Sequence, residues 1–461
     1  MNLMPAGLLA RLNACFRPED LLTEPADCWS YGYDNSKRHV LPEAVVFPRH
    51  HDQVLELASL CNTFEVALTP RGRGTGTTGA SVPVRGGIVV SMERMTAIKE
   101  TSVDNRYVVV EPGVTNQALQ DYLQPLGFFW APDPTSAAFC SIGGNLAYNS
   151  AGPRAVKYGT PRDNTLGLRA VTGAGETLRC GVYTTKGVVG YDLTRLLIGS
   201  EGTLAIITEA VLKLTPLAEA RQLIRLGYRD VAAAARAVAS IMAQPVLPCA
   251  LEFIDGNAIR LVRESTTLDL PEGVHALLMV EVDGFRDSIS AAMERLVSVA
   301  SNEGLVECRI ADNAQEAEAL WAVRKALSPA LRKIAPKKIN EDVVVPVTAI
   351  PDLISGIDQL SQRFSIAIVN FGHAGNGNIH VNLLFDPDDA DALRRAHACL
   401  DALFSLVISL RGSLSGEHGV GLEKLPYMDR ELDATHRSLM RGIKQVFDPK
   451  GILNPDKLFV D

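Results

Sequence analysis

Two histidines on either side of a tight-turn signal offer the first hint of chemistry. His373 and His380 flank Asn376-Gly377 within residues 369–383. Apolar and β-branched residues around an Asn-Gly pair predict a β-hairpin. With Asn376 and Gly377 as the centre of a two-residue type I′ turn, Gly375 faces Asn378, Ala374 faces Ile379, and His373 faces His380. Directly opposite residues share a face, with Cβ atoms roughly 5 Å apart. The two imidazoles then converge, whereas on one continuous strand their odd spacing would separate them. Phe371 and Asn382 form the next pair on that face. Converging imidazoles begin a transition-metal site; two stacked, hydrogen-bonded histidines are the plain alternative.

A second motif, Ser415-Gly416-Glu417-His418-Gly419-Val420-Gly421, sets a carboxylate beside an imidazole on a glycine-bounded loop. Glu417 would complete a two-histidine, one-carboxylate set of the kind that holds zinc, manganese or iron. His418, next to the metal but not on it, would stand where a general base belongs. Taken alone the loop is an ordinary exposed turn. That three of the nine histidines fall in these two motifs favours the chemical reading. Arg324, in a helical pattern before the hairpin, could grip a carboxylate with parallel hydrogen bonds, although most helical arginines only face water.

Two glycine-rich stretches come earlier. Residues 71–79 read Arg-Gly-Arg-Gly-Thr-Gly-Thr-Thr-Gly directly after a strand pattern. Dense glycine lets backbone N–H groups converge on an anion such as a phosphate. No Gly-Lys-Ser/Thr follows, and no long helix opens behind it, so it is neither a Walker loop nor a usual dinucleotide fingerprint. Residues 134–152 gather Thr135, Ser136, Ser141, Asn145, Asn149 and Ser150 with Gly143, Gly144 and Gly152. Such residues let backbone approach a flat heterocycle; turn chemistry alone is the alternative.

The elements that must carry these residues follow from periodicity. Residues 1–40 suggest a helical lead-in. Strands are expected at 44–47, 66–70, 87–91 and 107–111, with helices at 51–64 and 115–123, the latter capped by Thr115. Glycine punctuation thins near Pro216, which marks a domain boundary. Beyond it, strand–helix–strand patterns at 223–254 and 276–310 repeat faintly and predict a ferredoxin-like antiparallel sheet with helices on one face. Helices are expected at 314–333, 351–364 and 388–409, followed by a loop-like tail at 447–455. The fold class is α+β.

Composition narrows the function. The 461 residues exceed one compact core, so two or three domains are expected. A net charge of −8 and no basic run argue against nucleic acid. The eight cysteines form no C-x-x-C pair, which disfavours iron–sulfur and zinc-ribbon sites and fits a reducing compartment. No signal-peptide pattern and no spanning run appear, so a cytoplasmic enzyme is expected, with peripheral contact at the inner face of a membrane compatible.

Together these stretches resemble the FAD-dependent D-2-hydroxy acid dehydrogenases of the vanillyl-alcohol oxidase (PCMH-type) flavoprotein superfamily. That group includes D-lactate dehydrogenases, the glycolate oxidase catalytic subunit and D-2-hydroxyglutarate dehydrogenase. The carrying pieces are residues 70–79, 134–152, 199–204, 372–382, 416–421 and 448–457. The resemblance implies a lead-in over 1–39, a PCMH-type FAD-binding domain over 40–216, a substrate domain with the metal site over 217–425, and a C-terminal segment over 426–461 that returns to the flavin. It implies that Arg71, Gly72, Arg73, Gly74, Thr75 and Gly76 cradle the pyrophosphate of FAD. Pro134, Thr135, Gly143, Gly144, Asn145, Asn149, Gly152, Glu201, Gly202, Ile207 and Asn454 would line the rest. Residues 71–79 hold no histidine or cysteine, so the FAD is expected to be noncovalent. By the same resemblance, His373, His380 and Glu417 bind a divalent metal, zinc favoured, His418 is the base, and Arg324 and Asn382 contact the substrate.

The implied reaction oxidises a D-2-hydroxy acid to the 2-oxo acid and passes electrons to a quinone, a cytochrome or an electron-transfer flavoprotein; a homodimer is compatible. In the 2-hydroxyglutarate members a lysine precedes a strand ending in proline. Here residues 337–346 place Asn340 near that position, with Lys338 two residues away and an acidic Glu341-Asp342 pair beside it. That departure favours D-lactate over 2-hydroxyglutarate, with glycolate as an alternative. A flavin-free metal hydrolase and a noncatalytic flavin-binding subunit are the rival classes.

Overall fold

The computed structural model describes residues 4–265, 270–331 and 335–459. The chain divides into two compact units: residues 1–152, 159–217 and 417–461 form the first, and residues 153–158 and 218–416 the second.

The first unit holds two main sheets. Strands β1 (Leu21–Leu22), β2 (Ala44–Val46), β3 (Leu68–Arg71) and β4 (Ile88–Ser91) are ordered β1-β2-β4-β3, with β2, β4 and β3 parallel. Residues 88–90 are Ile-Val-Val and fully buried, the continuous apolar run of a strand covered on both faces. The helix His51–Phe64 presents Val54, Leu57, Ala58 and Cys61 to this sheet and ends on Glu65 in the left-handed region. The lead-in is only partly helical. One helix, Ala6–Cys15, and a 3-10 turn, Pro18–Asp20, precede β1, which pairs with β2; the short helix Pro25–Cys28 and a 3-10 turn, Trp29–Tyr31, follow it.

The second sheet is antiparallel throughout. Strands β5 (Ile98–Ser102), β6 (Tyr107–Val110), β8 (Thr165–Thr172), β9 (Thr177–Gly181) and β10 (Ala205–Lys213) run in the order β5-β6-β10-β8-β9, while β7 (Phe128–Phe129) pairs with β11 (Thr215–Pro216). Thr115 caps the helix Asn116–Leu123 by accepting the N–H of Ala118. The glycine-rich stretch around Gly143 and Gly144 contains a helix, Ile142–Tyr148, capped by Ser141. The C-terminal segment rejoins the first sheet: Leu68 bridges Leu453, and the N–H of Asn454 donates to the Leu68 carbonyl. Lys444 holds that turn by donating to the carbonyls of Thr203 and Leu453.

The second unit is built on one seven-stranded antiparallel sheet. It comprises β12 (Ala220–Tyr228), β13 (Ala250–Ile254), β14 (Ala276–Gly284), β15 (Leu305–Ile310), β16 (Lys337–Val344), β17 (Ala367–His373) and β18 (Asn378–Phe385) in the order β15-β12-β14-β13-β17-β18-β16. The first four give the ferredoxin-like order, and three more strands extend it at the β13 edge. Helices cover both faces rather than one. Gly256–Ser265 and Ala314–Ala330 pack on the side bearing Leu277 and Met279. Val231–Met242 packs against both Ile289–Ala300 and Ile350–Phe364, which in turn meets Ala390–Ser409, and together these oppose the other face. Double cover explains why every residue of β13 and β18 is buried.

Candidate metal and flavin site

β17 and β18 form the expected hairpin with a different register. His373 faces Asn378, Phe371 faces His380 and Val369 faces Asn382. The turn has four residues, not two: Ala374–Asn376 make a 3-10 turn, and Gly377 enters the left-handed region at φ 72°. A side chain at Gly377 would lie 1.8 Å from the Val345 carbonyl, whose own N–H donates to Gly377. β16, packed alongside, therefore favours the longer turn. The imidazoles still converge. His380 sits two residues from the partner of His373, on the same face, so the pair meets diagonally. The rings cross at 85° with centroids 5.1 Å apart, and the Nε2 atoms are 3.4 Å apart.

A residue that the sequence did not single out stands behind them. Glu252 of β13, 1% exposed, takes Nδ1 of His373 at 2.5 Å and Nε of Arg324 at 2.8 Å. Burial pushes its carboxyl up; the charges and hydrogen bonds of His373 and Arg324 override this and bring it down to about 2. An ionised Glu252 fixes the proton of His373 on Nδ1 and leaves Nε2 as the ligand atom. That carboxylate–imidazole arrangement stands behind many metal-binding histidines. Donor atoms of His373, His380 and Glu417 all lie within 4.8 Å of one another. Two imidazoles and one carboxylate, with a carboxylate behind one imidazole, fit a divalent cation.

Asp342 of β16, on the same face as His380, accepts the N–H of Gly416 at 2.9 Å and so fixes the start of the Glu417 loop. Glu341 alternates to the other face, so the acidic pair does not act together. Asn340 faces Asn382, whose Nδ2 donates to the carbonyls of Val369 and His380. Lys338 reaches Asn382 Oδ1 at 3.2 Å. Arg324 does not face water: it lies over the Phe371 ring at 4.5 Å.

In the first unit, residues 71–79 follow β3 as read. Arg71 turns inward, donating to the Tyr33 and Ser30 carbonyls, and Arg73 stands 3.9 Å from Glu93. The glycines answer first to close approach: side chains at Gly72 and Gly76 would lie 2.6 Å from Ser141 Oγ and the Tyr148 hydroxyl. Among the described residues, no amide from Arg73 to Gly79 has a protein acceptor. Such a run of open amides fits a phosphate. Asn145 is buried and bonded to Asn116; Asn149, in the left-handed region, accepts the N–H of Arg162. Gly143 and Gly144 lie on the helix beside Asn145, and Pro134 and Thr135 on the turn before it. Gly152 donates to Glu417 Oε2 at 2.9 Å. Gly202 has φ 70°, and Ile207 belongs to the core of the second sheet. Asn454, 1% exposed, donates to the carbonyls of Ala80 and Glu201, while its Oδ1 is buried without a partner. An orphaned buried acceptor beside open amides fits a bound cofactor that the chain alone does not supply.

Comparison with known proteins settles the kind of cofactor. Residues 42–181 match the FAD binding domain, and residues 217–458 match the C-terminal domain of FAD linked oxidases. The chain belongs to the FAD-linked oxidase family. It is 35% identical to the glycolate oxidase subunit GlcD of Bacillus subtilis, over 96% of this chain and 94% of that protein. It is 31% identical to the mitochondrial D-lactate dehydrogenase [cytochrome] of Arabidopsis thaliana, over 99% of this chain and 80% of that one. The fold is that of p-cresol methylhydroxylase, with a TM-score of 0.84 at 16% identity over 100% and 98% of the two chains. The family membership makes this chain an FAD-linked oxidoreductase and removes support for a flavin-free hydrolase. Among the described residues, no helix is long and apolar enough to cross a membrane.

Proposed function

We propose that the chain is an FAD- and divalent-metal-dependent dehydrogenase that oxidises a D-2-hydroxy acid, D-lactate favoured, to the 2-oxo acid. The observation that carries this reading is the cluster of His373, His380 and Glu417, backed by Glu252, in a chain with an FAD-binding domain. The relatives named as glycolate oxidase and D-lactate dehydrogenase support the substrate class.

FAD, when bound, supplies the hydride acceptor. A divalent ion on the three ligands supplies charge that lowers the pKa of a substrate hydroxyl. His418 takes the hydroxyl proton as the hydride leaves the same carbon. Arg324 receives the substrate carboxylate on its planar fork, which has more donors than Glu252 uses, and Asn382 flanks it. Residues 71–76 hold the pyrophosphate of a noncovalent FAD, and Asn454 meets the cofactor from the C-terminal segment. A quinone, a cytochrome or an electron-transfer flavoprotein would serve as the final electron acceptor.

An anaerobic screen of D-lactate, L-lactate, glycolate and D-2-hydroxyglutarate, read by bleaching of the flavin, tests this. D-Lactate should bleach fastest, L-lactate should not, and exhaustive chelation should stop the reaction. Bleaching that survives chelation overturns the metal; no bleaching by any 2-hydroxy acid overturns the substrate class. His418→Asn should keep FAD and slow reduction by about 10²–10⁴-fold.

A further inference from the structure

Glu201 lies in the 199–204 motif whose resemblance points to the flavin, yet its carboxylate is spent on the backbone of another loop. Oε1 accepts the N–H of Val420 at 2.6 Å and Oε2 the N–H of Gly421 at 2.8 Å. The residue is 5% exposed, and its own backbone is in the left-handed region at φ 52°. Its carbonyl is held by Asn454 Nδ2 at 2.7 Å. Gly419, at φ 78°, lets the loop come this near: a side chain there would lie 2.5 Å from Glu201 Oε1. Across the loop, the Thr78 hydroxyl donates to the His418 carbonyl at 3.3 Å.

We propose that Glu201 is a positioning residue whose carboxylate fixes the backbone of residues 417–421, and with it the direction of Glu417 and His418, rather than a group that contacts FAD. The inference rests on the metal-and-base reading of those two residues. Two consecutive amides given to the two oxygens of one buried carboxyl group tie the loop backbone at two adjacent points. Glutamine has the same shape but offers one acceptor oxygen, so its NH2 must face one of the two amides.

The test uses the holoenzyme and the variants E201Q and E201D, with Mn²⁺ as the probe ion. E201Q should keep stoichiometric FAD while hydrogen exchange at Val420 and Gly421 accelerates. Its Mn²⁺ affinity, read by chelator competition, should fall by about 10- to 100-fold, as for other residues that orient metal ligands. E201D, which keeps both acceptors on a shorter arm, should recover part of that loss. Loss of FAD from E201Q with unchanged exchange in the loop overturns the proposal in favour of a flavin contact. If E201Q does not fold, the wild type decides: Val420 and Gly421 must be protected amides, and rapid exchange there overturns the proposal. A wild type that binds no divalent ion overturns the proposed function instead, and leaves the exchange result to stand or fall separately.

Discussion

Glu252 determines which nitrogen of His373 is available to a cation, and so its charge matters more than its shape. Glu252→Gln can still accept from Nδ1, but it cannot supply the negative charge that polarises the imidazole. Metal affinity should fall about 10- to 100-fold with FAD content unchanged, measured by competition with a chelating dye. His373, His380 and Glu417, whose donor atoms the fold gathers, lie in short motifs that the sequence displays. Glu252 does not, since it meets His373 from 121 residues away. Its one signal was an acid inside the apolar run 249–254. A different buried acid contributes to the response to pH. Asp20 accepts from Arg49 and Arg94, and the Arg49 bonds, outweighing burial, hold its carboxyl below the usual range. The stability it contributes is present above the unfolded value of about 3.9 and is lost as pH falls through the lower folded value. Asp20→Asn should therefore lower the melting temperature at neutral pH, and the gap to wild type should close in acid.

At the scale of elements, the β17–β18 hairpin shows what a turn dipeptide can and cannot specify. Asn376-Gly377 located the turn correctly, because Gly377 alone tolerates the left-handed conformation beside Val345. It did not set the loop length: the same dipeptide closes a four-residue loop when a third strand donates to it. Same-face convergence survived because the register moved by an even number of residues. Gly377→Ala should destabilise the second unit by about 2 kcal/mol or more, through positive φ and overlap with the Val345 carbonyl, measured by denaturant unfolding. The helix Ile142–Tyr148 was hidden by Gly143 and Gly144, poor helix formers. Gly143 is small because a side chain would lie 2.6 Å from Pro112. The extension of the sheet by β16–β18 was not legible either, since periodicity reports strands and not their neighbours. The ferredoxin-like core was, because its strand–helix–strand units are local.

For the molecule as a whole, the first unit is discontinuous: residues 417–461 belong to it although the second unit precedes them. Ile452 and Leu453 are part of the core of the first sheet, and Lys444 and Asn454 bind its loops. A chain ended at residue 416 should retain little FAD, measured by absorbance after gel filtration, because β3 loses its bridge to Leu453 and the cofactor region loses Asn454. Full FAD occupancy in that truncation would contradict the role given to the segment. The same bridge of Leu68 to Leu453 has a consequence for biosynthesis. As the chain leaves the ribosome, every residue of the second unit emerges before the segment that completes the first. The flavin cradle is then completed only once residues 417–461 have emerged, so FAD is expected to be captured after that segment appears and not before it.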